Sequence, residues 1–273
     1  MWAWRSMRNH DKNEKVGNLL CPSSSNRQRL RVLSSRSAAL LGDPNFPKIL
    51  NPAKRGERIL RFQELYQQYS RLELSSDYDR PTAIDGLQQR LLRTMAVDGG
   101  FGILNDCRSQ GLLCRSLLWH RGEDTVRLKP IKFPNDREHV PSWSWMAFSG
   151  GIDYFPLTWN GYDWGDIQPP WPRTAGAAPS NLFTGKIRAV DCSIANHSII
   201  FDDPTTSPPS EAMAFVLSIE KTSKDIEDKK HYILVVRPKN NLGRDGSTLY
   251  ERIGAGSVLG RHLRGKATEG ALE

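Results

Sequence analysis

VPSWSWMAFSGGIDYF, residues 140–155, lies just past the point where the helical rhythm of this chain gives way to strands. Trp143 and Trp145 stand two apart behind Pro141. In an extended strand that spacing puts both indoles on one face and Ser142 and Ser144 on the other. Such a pair predicts a packing anchor and not a catalyst, because indole has a large apolar surface, one N–H donor and no group that titrates near neutral pH.

Upstream of this stretch the apolar residues keep a helical period. Ile59, Phe62, Leu65, Tyr66, Tyr69 and Leu72 recur three and four apart with glutamines and a glutamate between them, which predicts an amphipathic helix. A second helix is expected to open near Asp79 and Pro81, to carry Ile84, Leu87, Leu91 and Met95 inward, and to stop at Gly99, Gly100 and Gly102. A third is expected from about Asn105 to Leu118, with Cys107, Cys114, Leu117 and Leu118 as its stripe.

Downstream, short apolar runs separated by turn residues predict strands near 126–132, 142–148, 183–190, 197–201, 212–220, 231–237 and 248–253. YILVVRP, residues 232–238, is apolar on both faces and predicts a central strand that ends at Pro238. Helices first and strands afterward predict an α+β fold, about three helices packed on a largely antiparallel β-sheet or sandwich. The expected organisation is a disordered basic arm over 1–55, a folded region over 56–262 (helical to 120, β-rich from 121), and a tail over 263–273. The stretch 158–179, rich in Trp, Pro and Gly, predicts a long surface loop, with Trp159, Trp164 and Trp171 pinning it to the sheet.

Charge argues against a nucleic-acid-binding globule. The net +8 sits entirely in residues 1–61, which balance at +9, whereas the remaining 212 residues balance at −1. Only the arm could support a role with RNA or DNA. Mean hydropathy of −0.53 and an apolar fraction of 38% lie at the polar end for a globular chain, and no run of about 18 apolar residues exists to span a bilayer. No secretory signal is evident, so a cytoplasmic protein is expected. Cys21, Cys107, Cys114 and Cys192 lack CxxC spacing and read as reduced thiols.

The usual signatures of chemistry are missing from the sequence. The six histidines form no HExxH, and no GxSxG elbow occurs. His120 reads as a cation at the C-terminus of the third helix, and Asp202 with Asp203, before Pro204, as a solvated turn. GAGSVLG, residues 254–260, lacks GxGxxG spacing, so Gly254 and Gly256 predict a bulge or turn after a strand. Asn196, His197 and Ser198 form a sequon that matters only after secretion. Neither a catalytic, a cofactor-binding nor a metal-binding residue is therefore expected.

Five segments in order are YSRLELSSDYDRPTAIDGL (69–87), GLLCRSLLWHR (111–121), VPSWSWMAFSGGIDYF (140–155), HYILVVRP (231–238) and YERIGAGSVLG (250–260). Together they resemble the C-terminal part of fungal heterokaryon-incompatibility (HET) domain proteins, over about 200 residues from Leu60 to Gly260. The matching motif positions are Leu117, Leu118, Trp119, Pro141, Ser142, Trp143, Ser144, Trp145, Tyr250, Glu251, Arg252, Gly254 and Gly256, in structural roles. The family's defining core is expected upstream of Ile59, where only the basic arm stands. What the resemblance implies is a non-enzymatic portion of a HET-type protein, linked to non-self recognition and programmed cell death and acting through a protein partner. The alternatives are a piece of a longer effector whose core cleaves a nucleotide such as NAD, and a nucleic-acid binder using the arm.

Overall fold

The fold is α+β, with the helices ahead of most strands, although a short hairpin falls between the second and third helices. The computed structural model describes residues 55–106, 111–135, 139–158, 160–171, 181–192, 198–205, 212–243 and 247–273. The expected arm, Cys21, Cys107, Trp159 and most of the sequon lie outside the described residues.

Helix α1 (Arg55–Ser70) follows from the three-and-four spacing, and Ile59, Phe62, Leu65 and Tyr66 are buried along one stripe. Helix α2 (Arg80–Met95) begins with Pro81 in its first turn, where a missing N–H costs nothing. Asp79 precedes it without a side-chain capping bond. Glycine does not end α2. Ala96, in the left-handed region at φ 50°, closes it and donates its N–H back to Arg93.

The glycines expected to end that helix instead build a hairpin of β1 (Asp98–Gly100) and β2 (Ile103–Asn105). Phe101 at φ 50° and Gly102 at φ 80° form its two-residue turn, both positive as a hairpin of right-handed twist requires. Asn105 is thus a strand residue, and the third helix, α3, is described over Gly111–Leu117, where it is wholly buried. The missing side chain of Gly111 admits the Trp164 indole within about 3 Å of where a Cβ would stand.

Two small sheets follow, β3 (Trp119–Arg121) with β6 (Ile152–Tyr154), and β4 (Lys129–Pro130) with β5 (Phe148–Ser149). The end of α1 is tied to β6. Gln67 donates to Asp153 at 2.9 Å, Arg71 to the Ile152 carbonyl at 2.6 Å, and the Ile152 N–H to Ser70 Oγ at 3.0 Å. The strand expected over 142–148 is absent. Trp145–Ala147 is a 3₁₀ turn whose Met146 N–H bonds Ser144 Oγ at 3.0 Å, the local side-chain-to-backbone bond by which serine competes with a ladder. Likewise only Lys129 and Pro130 pair within the strand expected over 126–132, and Val126 is exposed.

The main sheet comprises β7 (Tyr162–Trp164), β8 (Ile167–Gln168), β9 (Phe183–Val190), β10 (Ser198–Phe201), β11 (Met213–Glu220), β12 (Lys230–Leu242), β13 (Thr248–Leu259) and β14 (Leu263–Leu272). Strand order is β7-β11-β12-β13-β14-β9-β8, and β9 also pairs β11, so β9, β11, β12, β13 and β14 close into a ring. All pairings are antiparallel except β13 with β14. Val190, Ala214, Ile233, Val235, Val258 and Leu263 belong to one buried cluster within this sheet.

Four expectations change here. Residues 263–273 are not a tail but β14, paired to β9 along its length. β12 does not stop at Pro238; the pairing with β13 is irregular between Pro238 and Leu242, which accommodates a residue without an N–H. Gly254 and Gly256 lie within β13, beside β10, where a Cβ would meet the Ile200 and Ser198 carbonyls at 2.7 and 2.4 Å. A register shift does fall beside Gly254, opposite Val235 and Val236, yet inside the strand. The stretch 158–179 contributes β7 and β8 to the flanks of the sheet, and Trp171 packs edge-on against Trp143 and Phe183.

Candidate functional site

Arg252 is the point where the sequence motifs meet. It sits on β13, wholly buried, and its guanidinium lies 3.1 Å from the centre of the Trp119 ring. Nε donates to Asp202 Oδ2 at 3.0 Å and Nη2 to Oδ1 at 3.1 Å, the two-pronged geometry that matches arginine to carboxylate. Nη2 also reaches the Trp119 carbonyl at 2.8 Å, and Nη1 the Leu117 carbonyl at 3.4 Å. Its backbone N–H donates to Ser142 Oγ at 3.1 Å.

The surrounding bonds tie the same segments again. Trp119 Nε1 donates to the Trp143 carbonyl at 2.9 Å, and Trp143 Nε1 to the Asn181 carbonyl at 2.9 Å. The Ser142 hydroxyl and N–H both bond the Glu273 carbonyl, while the Glu273 N–H bonds Tyr250. Asp202 is fastened through its own backbone to Leu128 and Ile253. It is therefore not a solvated turn residue: it is buried at the end of β10, while Asp203 is half-buried and accepts from Thr205.

Of the motif positions, Leu117, Trp119, Ser142, Trp143 and Arg252 come together here, and Tyr250 and Glu251 adjoin them. Leu118 is buried and its carbonyl accepts from Phe155, and the Pro141 carbonyl accepts from Ser144. Trp145 belongs elsewhere. Its ring meets Tyr66 at 5.2 Å and Tyr69 at 6.0 Å, while Trp143 meets Phe183 at 4.7 Å and Phe101 at 5.8 Å. Both indoles are buried anchors, but a turn and not a strand sends them into different neighbourhoods. Ser144 completes the turn by donating to the Phe101 carbonyl at 2.7 Å.

Burial governs the protonation of the neighbours. It pulls the Arg252 guanidinium below its ordinary value, against the opposing pull of Asp202. His120 is not a cation at a helix end. It lies in β3, its Nδ1 2.8 Å from the Arg121 carbonyl and its ring 4.5 Å from Phe155, and burial holds its imidazole below the usual range. Cys114 is buried and its thiol is pushed up to about 12, so the thiolate needed for a nucleophile is suppressed. Among the described residues no group of three or more His, Cys, Asp or Glu side chains is placed to hold a metal ion.

Above Arg252 opens a cleft of about 470 Å³ between the β4–β5 pair and strands β10, β12 and β13. Leu128, Ile131, Phe133, Phe148 and Phe201 give it apolar walls; Arg237, Lys239 and Glu251 stand among its polar lining. Sequence reasoning misread Asp202 as a solvated turn residue and gave Arg237 and Lys239 no role. The one available signal was Arg252 itself, an arginine within a segment expected as a strand, which once buried demands a carboxylate.

No family model matches the chain, and neither a curated protein nor a solved structure proved similar to it. No helix among the described residues is long and apolar enough to cross a membrane.

Proposed function

We propose that this chain is a non-enzymatic portion of a fungal heterokaryon-incompatibility protein, acting in the cytoplasm through protein contacts in non-self recognition and regulated cell death. The observation supporting this reading is the convergence of three distant motifs, LLW, PSWSW and YERIGAG, on Arg252. Their polar groups are spent on one another, so the motif residues act as a framework and not as reagents. Function then falls to the surfaces that this framework displays.

Two measurements test the reading. Purified protein incubated with NAD is expected to release no nicotinamide above a buffer control; turnover by the chain alone overturns the non-enzymatic part. Expression in a fungal host that is then fused with an unlike strain is expected to change the fraction of dying fusion cells. An unchanged fraction removes the link to incompatibility.

A further inference from the structure

The cleft above Arg252 separates polar groups that are spent from groups that are not. At its floor, Arg252 and Asp202 are satisfied by each other and by backbone carbonyls, so the floor is set before anything enters. Elsewhere in the lining the balance differs. Arg237 gives Nε to Glu251 at 2.6 Å, and its two Nη groups make no hydrogen bond among the described residues. Lys239 gives one N–H to Glu273 at 2.8 Å and keeps two donors in reserve. The two cations are two residues apart on β12 and both line the same cleft.

We propose that this cleft binds a small amphipathic anion, an apolar ring or short chain bearing a carboxylate or sulfonate. The body lies against Ile131, Phe133, Phe148 and Phe201, and the head group takes the unspent donors of Arg237 and Lys239. The volume suits such a ligand, since small-molecule sites span roughly 300–1,000 Å³. A guanidinium fork also suits a planar oxyanion better than a point charge does. Glu251 and Glu273 each already pair with one of the two cations and Asp203 adds a further carboxylate, so a bare inorganic anion gains nothing from net charge, and only the unspent N–H donors of Arg237 and Lys239 favour an acceptor head. The apolar body is what makes binding favourable, and the free N–H donors of Arg237 and Lys239 select a head that accepts hydrogen bonds. This inference stands apart from the family reading and survives its failure.

The test is calorimetric titration of the full chain with naphthalene-1-sulfonate and with 1-naphthylmethylammonium, which share a body and differ in charge. The sulfonate is expected to bind one site at least about tenfold more tightly than the ammonium. The double variant Arg237→Gln with Lys239→Gln leaves the carboxylates unopposed and is expected to reverse that order; both positions are on or near the surface, so the fold is retained. Ala147→Trp is expected to block both probes. Amide chemical shifts perturbed by the sulfonate at 128–133, 147–148, 201–203 and 237–239 place the site without any mutation. Equal affinity for the two probes, an unreversed order in the double variant, no sulfonate binding at millimolar concentration, or shifts confined elsewhere would overturn the proposal.

Discussion

Arg252 and Asp202 share two hydrogen bonds, at 3.0 and 3.1 Å, deep enough that neither side chain is more than 6% exposed. A pair so placed is expensive to assemble and more expensive to break, because loss of one partner strands the other charge in a low-dielectric interior. It joins β13 to β10, and through Leu117 and Trp119 it joins both to the end of the helical part.

Arg252→Met is accordingly expected to destabilise the chain by about 3–5 kcal/mol. Arg252→Met combined with Asp202→Leu is expected to recover much of that loss, since no unpaired charge then remains buried. Urea unfolding of the two variants beside the parent checks this. A double variant no more stable than the single one would mean that the carbonyl contacts, and not the charge balance, carry the junction.

Trp143→Ala and Trp145→Ala are each expected to cost about 3–5 kcal/mol, the range for emptying a buried aromatic site. The separate neighbourhoods sharpen the expectation. Trp143→Ala with Phe183→Ala should be non-additive, because these rings touch at 4.7 Å. Trp143→Ala with Tyr66→Ala should add within about 0.5 kcal/mol. Double-mutant cycles from denaturant midpoints decide it; coupling of equal size in both pairs would place the two indoles in one cluster.

Gly256→Ala is expected to loosen β10, because the new methyl would meet the Ser198 carbonyl at 2.4 Å and Ile199 Cα at 2.6 Å. The cost should be about 1–3 kcal/mol, as for other overpacked sites. Hydrogen exchange at 198–201 should accelerate while β11 and β12 stay protected. Gly86→Ala is the control, since nothing stands within 4 Å of its Cβ position.

Acid is expected to weaken the fold through His120 and His231, whose imidazoles are held below their ordinary values by burial. A base whose folded pKa is depressed binds fewer protons in the native state than in the unfolded one near its unfolded pKa of about 6.5. Its contribution is therefore complete above that value, and it declines as pH falls toward the lower folded pKa. Urea midpoints at pH 8 and pH 5.5 should differ more in the parent than in a His120→Gln, His231→Gln variant. An equal difference would assign the acid sensitivity to other groups.

Much of the fold was legible in the chain because short-range periodicity reports burial directly. The stripe from Ile59 to Tyr66 reads as α1, and alternation places β9 at Phe183–Val190. The departures share one cause, competition that a local pattern does not contain. Trp143 and Trp145 keep strand spacing, yet the Ser144 hydroxyl bonds Met146 and turns the backbone. Residues 263–273 read as a tail because their burial runs exposed over six positions, and only pairing with β9 makes them a strand.

The sequence by itself determined the first two helices, most of the long strands and the set of aromatic anchors, since these follow from side-chain size and spacing along the chain. It also set Arg252 among the positions of the YERIGAG motif. Only the tertiary structure decided what that cation meets. Asp202 lies 50 residues away in sequence and Leu117 lies 135 away, and no local rule relates them. A buried charge requires a partner, but which partner depends on how distant segments come to share an interior, here on the pairing of β10 with β13 and the approach of residues 117–119.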